Sequence, residues 1–397
     1  MISMDYQTSP KIPMSSPDLT DAEREAVMEV LRTPNLSMGP QIRAFEAAMC
    51  RFTGSRYALG VNSGTAGLHL CVHAAGVRDG DRVLTTPFSF VASANVLLFE
   101  RAVPVFVDVD PKTGNIDPVL AAAAANDLTA GEGLAQRWLP RRGAERNRPL
   151  KALLAVDVFG QPADYDALQP ITERHGLKLI EDSCEALGAE YNGRPAGTLG
   201  DYGVFAFYPN KQITTGEGGL VITDDEDAAC LMQALRNQGR APGDTWLDHT
   251  YLGYNYRLDE LSAALGVVQM ARIETLLAAR TQVADWYTNC LKKISEIEAP
   301  ELAPATTRVS WFVYVIRLPR GADRAAIAQR LAALGIPVRP YFSPIHLQPY
   351  MVERFGYRPG DFPVTEDLGA RGLALPFSSR TTQEQVEKVC AALSAVL

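Results

Sequence analysis

The stretch Phe205-Ala206-Phe207-Tyr208-Pro209-Asn210-Lys211-Gln212-Ile213-Thr214-Thr215-Gly216-Glu217-Gly218-Gly219 decides the reading of this chain. An apolar run ends near a lysine with aromatic neighbours, and a glycine-rich turn then opens a second run, Gly219–Thr223 (GLVIT). Poor solvation lowers a lysine's pKa, and the neutral amine can form a Schiff base. Taken alone, the pattern fits a surface lysine as well. The glycines are not a dinucleotide fingerprint, because they precede a strand rather than a helix.

Working outward, the same kind of run recurs at Arg56–Val61, Arg82–Thr85, Val103–Val109, Ala152–Val158, Leu177–Ile180 and Gly203–Phe207. Several are continuously apolar rather than alternating, which predicts strands buried on both faces of a mostly parallel sheet. Between the first two, Leu68, Cys71, Val72 and Ala75 fall at i, i+3, i+4 and i+7, one helical stripe. A long amphipathic stretch runs from Asp259 to about Leu291. A strand (Trp311–Leu318), a helix (Arg324–Leu334) and a closing helix (Gln383–Leu397) follow. The expectation is an α/β domain over residues 1–265, N-terminal segment included, and a smaller α+β domain over 266–397, joined by the long helix.

The chain has 397 residues, 47% hydrophobic and 21% charged, with 38 Lys and Arg against 46 Asp and Glu and a net charge of −8. These values describe a packed chain and argue against a dominant nucleic-acid surface. No uncharged apolar run is long enough for a membrane span, and the N-terminus lacks a secretory pattern. Six cysteines are scattered singly, which fits reduced thiols; a cytoplasmic protein is the expectation.

Three further stretches bear on chemistry. Asn62-Ser63-Gly64-Thr65 lies between a strand and a helix, where exposed amides suit a phosphate, although a plain N-cap reads the same way. Glu181-Asp182-Ser183-Cys184-Glu185 places carboxylates just past a buried strand, where open α/β sheets bind ligands, or where an acid caps the next helix. His69 and His73 have ligand spacing but no third partner, so no metal site is assigned. The arginine-rich segment 137–151 reads as a solvated connection, with a phosphate-binding loop as the sharper alternative.

In order and spacing, these elements resemble the sugar aminotransferases of the DegT/DnrJ/EryC1/StrS family, fold type I enzymes dependent on pyridoxal phosphate (PLP). The resemblance covers nearly the whole length. It includes Ser37-Met38-Gly39-Pro40 ahead of Phe45-Glu46, Asn62–Thr65, Thr86-Pro87-Phe88-Ser89-Phe90, Asp157-Val158-Phe159-Gly160-Gln161-Pro162-Ala163-Asp164, Glu181-Asp182, the Lys211 block and Tyr254-Asn255-Tyr256-Arg257-Leu258. It implies that Lys211 holds the cofactor as a Schiff base and shuttles the proton. Asp182 would face the pyridine nitrogen and Phe90 would stack on the ring. Ser63, Gly64 and Thr65 would cradle the phosphate, and Glu185 would lie near the ring oxygen. Asn255 would reach the phosphate from the other subunit of a homodimer. Tyr208, Tyr341 and His346 are the implied substrate contacts.

The implied reaction is amination of a keto sugar, carried on a nucleoside diphosphate, with glutamate as donor and PLP cycling with pyridoxamine phosphate (PMP). A keto-cyclitol substrate, a PLP-dependent sugar dehydratase and a non-catalytic PLP-binding regulator are the alternatives. The dehydratases replace the lysine with His, and here Lys211 is present. Two departures stand out: Ala206 occupies a position where many members carry a phosphate-binding Ser, and the Asp117–Ala152 connection is longer than usual.

Overall fold

A computed structural model of the chain describes residues 12–145 and 147–397. The expected readings at residues 1–11 and at Arg146 lie outside them. The strands are β1 (Tyr57–Val61), β2 (Arg82–Thr85), β3 (Val103–Phe106), β4 (Leu150–Val156), β5 (Lys178–Asp182), β6 (Glu190–Tyr191), β7 (Arg194–Pro195), β8 (Tyr202–Ala206) and β9 (Gly219–Thr223). Then come β10 (Thr306–Arg308), β11 (Tyr314–Arg317), β12 (Arg339–Pro340) and β13 (Gly372–Leu375).

Seven strands form the central sheet in the order β1-β9-β8-β5-β4-β2-β3, with only β9 running against the others. The apolar runs are continuous because both faces are covered. Leu154, Val156, Ile180 and Val204 pack with Leu68, Cys71 and Val72 of the helix Gly64–Ala74. Leu153, Ala155 and Leu179 face the other way, against Ala121, Ala125, Leu168 and Ile171 of the helices Pro118–Ala130 and Tyr165–His175. Burying each of the Val, Leu and Ile side chains contributes about 1.5–3 kcal/mol, so a polar substitution on either face is costly. Within the parallel part, Val156 and Asp182 stand side by side at the carboxyl ends of β4 and β5, with Val204 of β8 next to Asp182. That edge is where the site is built.

The single long connecting helix expected from Asp259 is two helices, Glu260–Ala271 and Ile273–Leu291, bent by 68°. The break has a cause: Arg272 leaves helical geometry at φ −110°, ψ 7°, and its guanidinium pairs with Glu23 at 2.6 Å and Asp18 at 2.8 Å. Packing does not divide at residue 265 either. Leu276 and Leu277 belong to the core under β8 and β9, with Phe45 and Phe207, whereas Val283, Tyr287 and Leu291 belong to the smaller core around β11 and β13. The chain also crosses between bodies elsewhere. Ile12 packs in the smaller core, so this part of the N-terminal segment sits apart from the domain expected to contain it. Ile345, Met351 and Phe355 return to the larger one.

The arginine-rich connection is a strap rather than a free loop. Arg137 donates to Asp127 at 2.7 Å, Arg141 to Asp361 at 2.7 Å, and Arg142 to the Val352 carbonyl at 2.9 Å. These guanidinium groups are engaged by protein, and none lines the cavity described next. No single helix among the described residues is long and apolar enough to cross a membrane.

Candidate active site

Beyond the carboxyl ends of β4, β5 and β8 lies a cavity of about 450 Å³, into which Ser63, Gly64, Thr65, Phe90, Asp182 and Lys211 all open. One wall is the start of the helix Gly64–Ala74. Ser63 caps it, its Oγ accepting from the Ala66 amide at 3.1 Å, so this hydroxyl is partly committed to the helix. The amides of Gly64 and Thr65 belong to the first turn, whose N–H groups have no intrahelical partner. Gly64 is required by close approach: a Cβ there would lie 2.7 Å from the Ala206 Cβ and 2.9 Å from the Cys184 Sγ. This tight seat turns unpaired donors and the positive helix end toward the cavity, a setting suited to phosphate.

Asp182 ends β5 and is buried. Its Oδ2 accepts from the Ser93 hydroxyl at 2.6 Å and its Oδ1 from the Cys184 amide at 3.2 Å. Ser93 in turn lies 2.8 Å from the Ser89 hydroxyl. Phe90, two residues ahead of the helix Ala92–Phe99 that carries Ser93, leaves 62% of its surface open beside the cavity. An aromatic face held open next to a fixed carboxylate is suited to a flat, cationic ring.

Lys211 follows β8 in a turn closed by its amide on the Tyr208 carbonyl at 2.8 Å. Its Nζ lies 3.7 Å from Glu185 Oε1 and 3.8 Å from the centroid of the Phe312 ring. Glu185 is buried and accepts from the Phe159 amide at 3.0 Å. Burial pushes its carboxyl pKa up, and Lys211 opposes that rise. The amine thus has one carboxylate nearby and one apolar lid.

The structure gathers Ser63, Gly64, Thr65, Phe90, Asp182, Glu185, Lys211, Tyr208 and Tyr341 around one cavity. Burial pushes the Tyr341 hydroxyl up to about 12, so it stays a neutral donor. Two expected residues lie elsewhere. His346 is fully buried, its Nε2 is 3.0 Å from Glu366 and its ring packs edge-on against Phe362. The expectation of a substrate contact there is corrected, because its surroundings are core. Asn255 is exposed and outside this chain's cavity. Its neighbours Tyr254 and Tyr256 stack at 4.9 Å, and they anchor to Glu100 and His69 at 3.2 and 3.0 Å. His69 and His73 both lie against Glu100, at 2.9 and 3.3 Å, which holds that carboxyl well below its usual range. These histidines serve an anchor.

Glu181, although adjacent to Asp182, faces away and spends both oxygens on the amides of Gly197, Leu199 and Gly200. Ser93 and Phe312 are the site residues that sequence reasoning missed. Ser93 carried a weak signal, three residues beyond Phe90 at a strand-to-helix junction; Phe312 carried none.

The model of the DegT/DnrJ/EryC1/StrS aminotransferase family matches residues 17–394. The chain belongs to that family. GDP-perosamine synthase of Caulobacter vibrioides is 36% identical over 392 residues, covering 98% of this chain and 99% of the relative. Helicobacter pylori PseC, an aminotransferase involved in pseudoaminic acid biosynthesis, superposes with a TM-score of 0.85 at 28% identity, covering 97% and 98% of the two chains. Spr1654 of Streptococcus pneumoniae in its PLP form does so at 0.85 and 26%, also covering 97% and 98%. This aminotransferase has the fold expected of type I PLP enzymes, and PLP is its cofactor. The residues present fit that group, since the first-turn amides offer donors at a seat where only glycine fits, with a lysine and a carboxylate within the same cavity.

Proposed function

We propose that this aminotransferase converts a nucleotide-linked 3- or 4-keto sugar to an amino sugar, with glutamate as amine donor, working as a homodimer. The observation that carries the reading is the assembly of Lys211, Asp182 and the Gly64–Thr65 helix start around one cavity. The names of GDP-perosamine synthase and of the other relatives support a sugar as substrate.

When bound, PLP supplies a carbonyl that captures amines and a ring that accepts the electrons of a broken C–H bond. The Lys211 amine, under the Phe312 ring and beside Glu185, carries the proton off the donor carbon and delivers a proton in the opposite half-reaction. Asp182, fixed by Ser93 and the Cys184 amide, holds its negative charge toward the cavity, where it favours a protonated ring nitrogen. The first-turn amides of the helix Gly64–Ala74 bind phosphate without moving during the reaction. Phe90 and Tyr341 exclude water from the ring's surroundings. Donor and acceptor occupy the same site in turn, so the kinetics are ping-pong.

The test is spectral. Glutamate alone should convert the holoenzyme from its PLP to its PMP form, and a matching nucleotide-linked keto sugar should reverse the change. Reversal by a keto-cyclitol but by no nucleotide-linked sugar would replace this substrate class with the alternative. No conversion by glutamate, with another amino acid effective, would overturn the donor only.

A further inference from the structure

Arg280 lies on the helix Ile273–Leu291 that runs from the larger core to the smaller one, and it is 2% exposed. Among the described residues no carboxylate pairs with it. Its NH1 donates to the carbonyls of Trp311 and Phe312 at 3.1 and 3.2 Å. Its NH2 donates to those of Asn210 and Lys211 at 3.2 and 2.5 Å. Its Nε is buried without a partner, and the guanidinium lies 5.7 Å from the centre of the Phe377 ring.

Burying a cation without a counter-ion is costly, and four carbonyl dipoles are its compensation. The two pairs of carbonyls belong to segments about a hundred residues apart in sequence. One carries the Lys211 amine; the other carries the Phe312 ring that covers it at 3.8 Å. A lysine at 280 could not hold both pairs, since its ammonium is a point donor while the guanidinium presents a rigid planar fork. Charge alone is therefore not what the position requires.

We propose that Arg280 is a positioning residue that locks the Lys211 turn to the Phe312 segment, keeping the reactive amine in register under its aromatic lid. The proposal rests on the reading of Lys211 as the reactive lysine. That reading is checked separately, by borohydride reduction of the wild-type holoenzyme and peptide mapping. A label on another lysine overturns the reading of Lys211 and this proposal with it.

With the label on Lys211, the cofactor-free full-length chain is treated with trinitrobenzenesulfonate, and modification is followed lysine by lysine. In Arg280→Lys, Lys211 should react about five-fold faster than in wild type as its lid shifts, while Lys151 and Lys388 react unchanged. In the loaded enzyme kcat should fall about ten-fold or more, with the KM for the amine donor nearly constant. Phe312→Leu keeps the bracket and removes the ring, so it should speed Lys211 labelling in the same direction. It also serves as the test if Arg280→Lys does not fold. Wild-type labelling of Lys211 in a folded Arg280→Lys variant, or in Phe312→Leu, overturns the proposal.

Discussion

The Ser93 hydroxyl donates a 2.6 Å hydrogen bond to Asp182, joining the helix after Phe90 to the end of β5. A hydrogen bond to an ionised group contributes about 1.5–3 kcal/mol. Ser93→Ala should therefore lower turnover by roughly ten-fold or more, since a carboxylate free to rotate positions its charge less well. Ser93→Thr keeps the hydroxyl and should recover most of that loss. Single-turnover rates with glutamate test this, and an alanine variant at wild-type rate sinks it.

Behind the site, Asp157 and Glu181 form a buried acid pair through Ser183, whose hydroxyl lies 2.7 Å from Asp157 and 3.2 Å from Glu181. Burial and mutual repulsion push Glu181 up, and burial pushes Asp157 up to about 6 from its ordinary 3.8. The folded state thus holds the proton more tightly than the unfolded chain. Stability from this source is full below about pH 3.8 and is lost as pH rises through about 6. Asp157→Asn reproduces the protonated shape: its oxygen can accept from Ala163 and Tyr165, and its amide can donate to Ser183. It should raise Tm at pH 7–8 by about 2 °C or more, with the advantage shrinking toward pH 5. Glu181→Gln sets an amide donor against backbone donors and should lower Tm. Thermal melts across pH test both, and the opposite ranking refutes the reading of Asp157 as the acid whose protonated shape the fold favours.

Ala206 bears on cofactor retention. Of the hydroxyls near it in the motifs, Thr214 is buried and donates to the Phe207 carbonyl at 2.9 Å, while Ser63 accepts in its cap and keeps its O–H free to donate. Ser63 and Thr65 both open into the cavity with a hydroxyl able to donate. Ala206 packs close against Gly64 and lines the cavity, so Ala206→Ser adds a donor near the first-turn amides. PLP should dissociate several-fold more slowly while the chemical step barely changes, since phosphate contacts act uniformly on ground and transition states. A changed single-turnover rate with unchanged PLP dissociation would place residue 206 against substrate.

What was legible in the sequence followed from short-range rules. Continuous apolar runs reported strands covered on both faces, whereas the roles of Lys211 and Asp182 came from the resemblance, since each residue taken alone also fits a plain surface or capping role. Alternation along β5 decides between two adjacent acids, and only the register of neighbouring strands reveals which one faces the cavity. Ser93 and Asp182 are 89 residues apart; no periodicity links them. The bend at Arg272 depended on Glu23 and Asp18, from a segment that nothing near the helix announces. His346 was implied as a substrate contact by the resemblance alone, and its side chain turns into the core.

Asn255 stays outside the cavity of its own chain while Tyr254 and Tyr256 hold its backbone against the helix Gly64–Ala74 and Glu100. In the homodimer proposed above, this exposed side chain would serve the site of a second copy. Mixing Lys211→Ala subunits with Asn255→Ala subunits should then regenerate one complete site per hybrid dimer, Lys211 from one protomer and Asn255 from the other. Random exchange gives hybrids in half the dimers, so activity at limiting PLP should approach about a quarter of wild type. Neither parent alone should match it under those conditions. If Asn255 acted within its own chain, mixing would restore nothing, because one subunit would lack the lysine and the other its own phosphate contact. Activity that stays at the average of the two parents after exchange is demonstrated by mass spectrometry would refute the shared site.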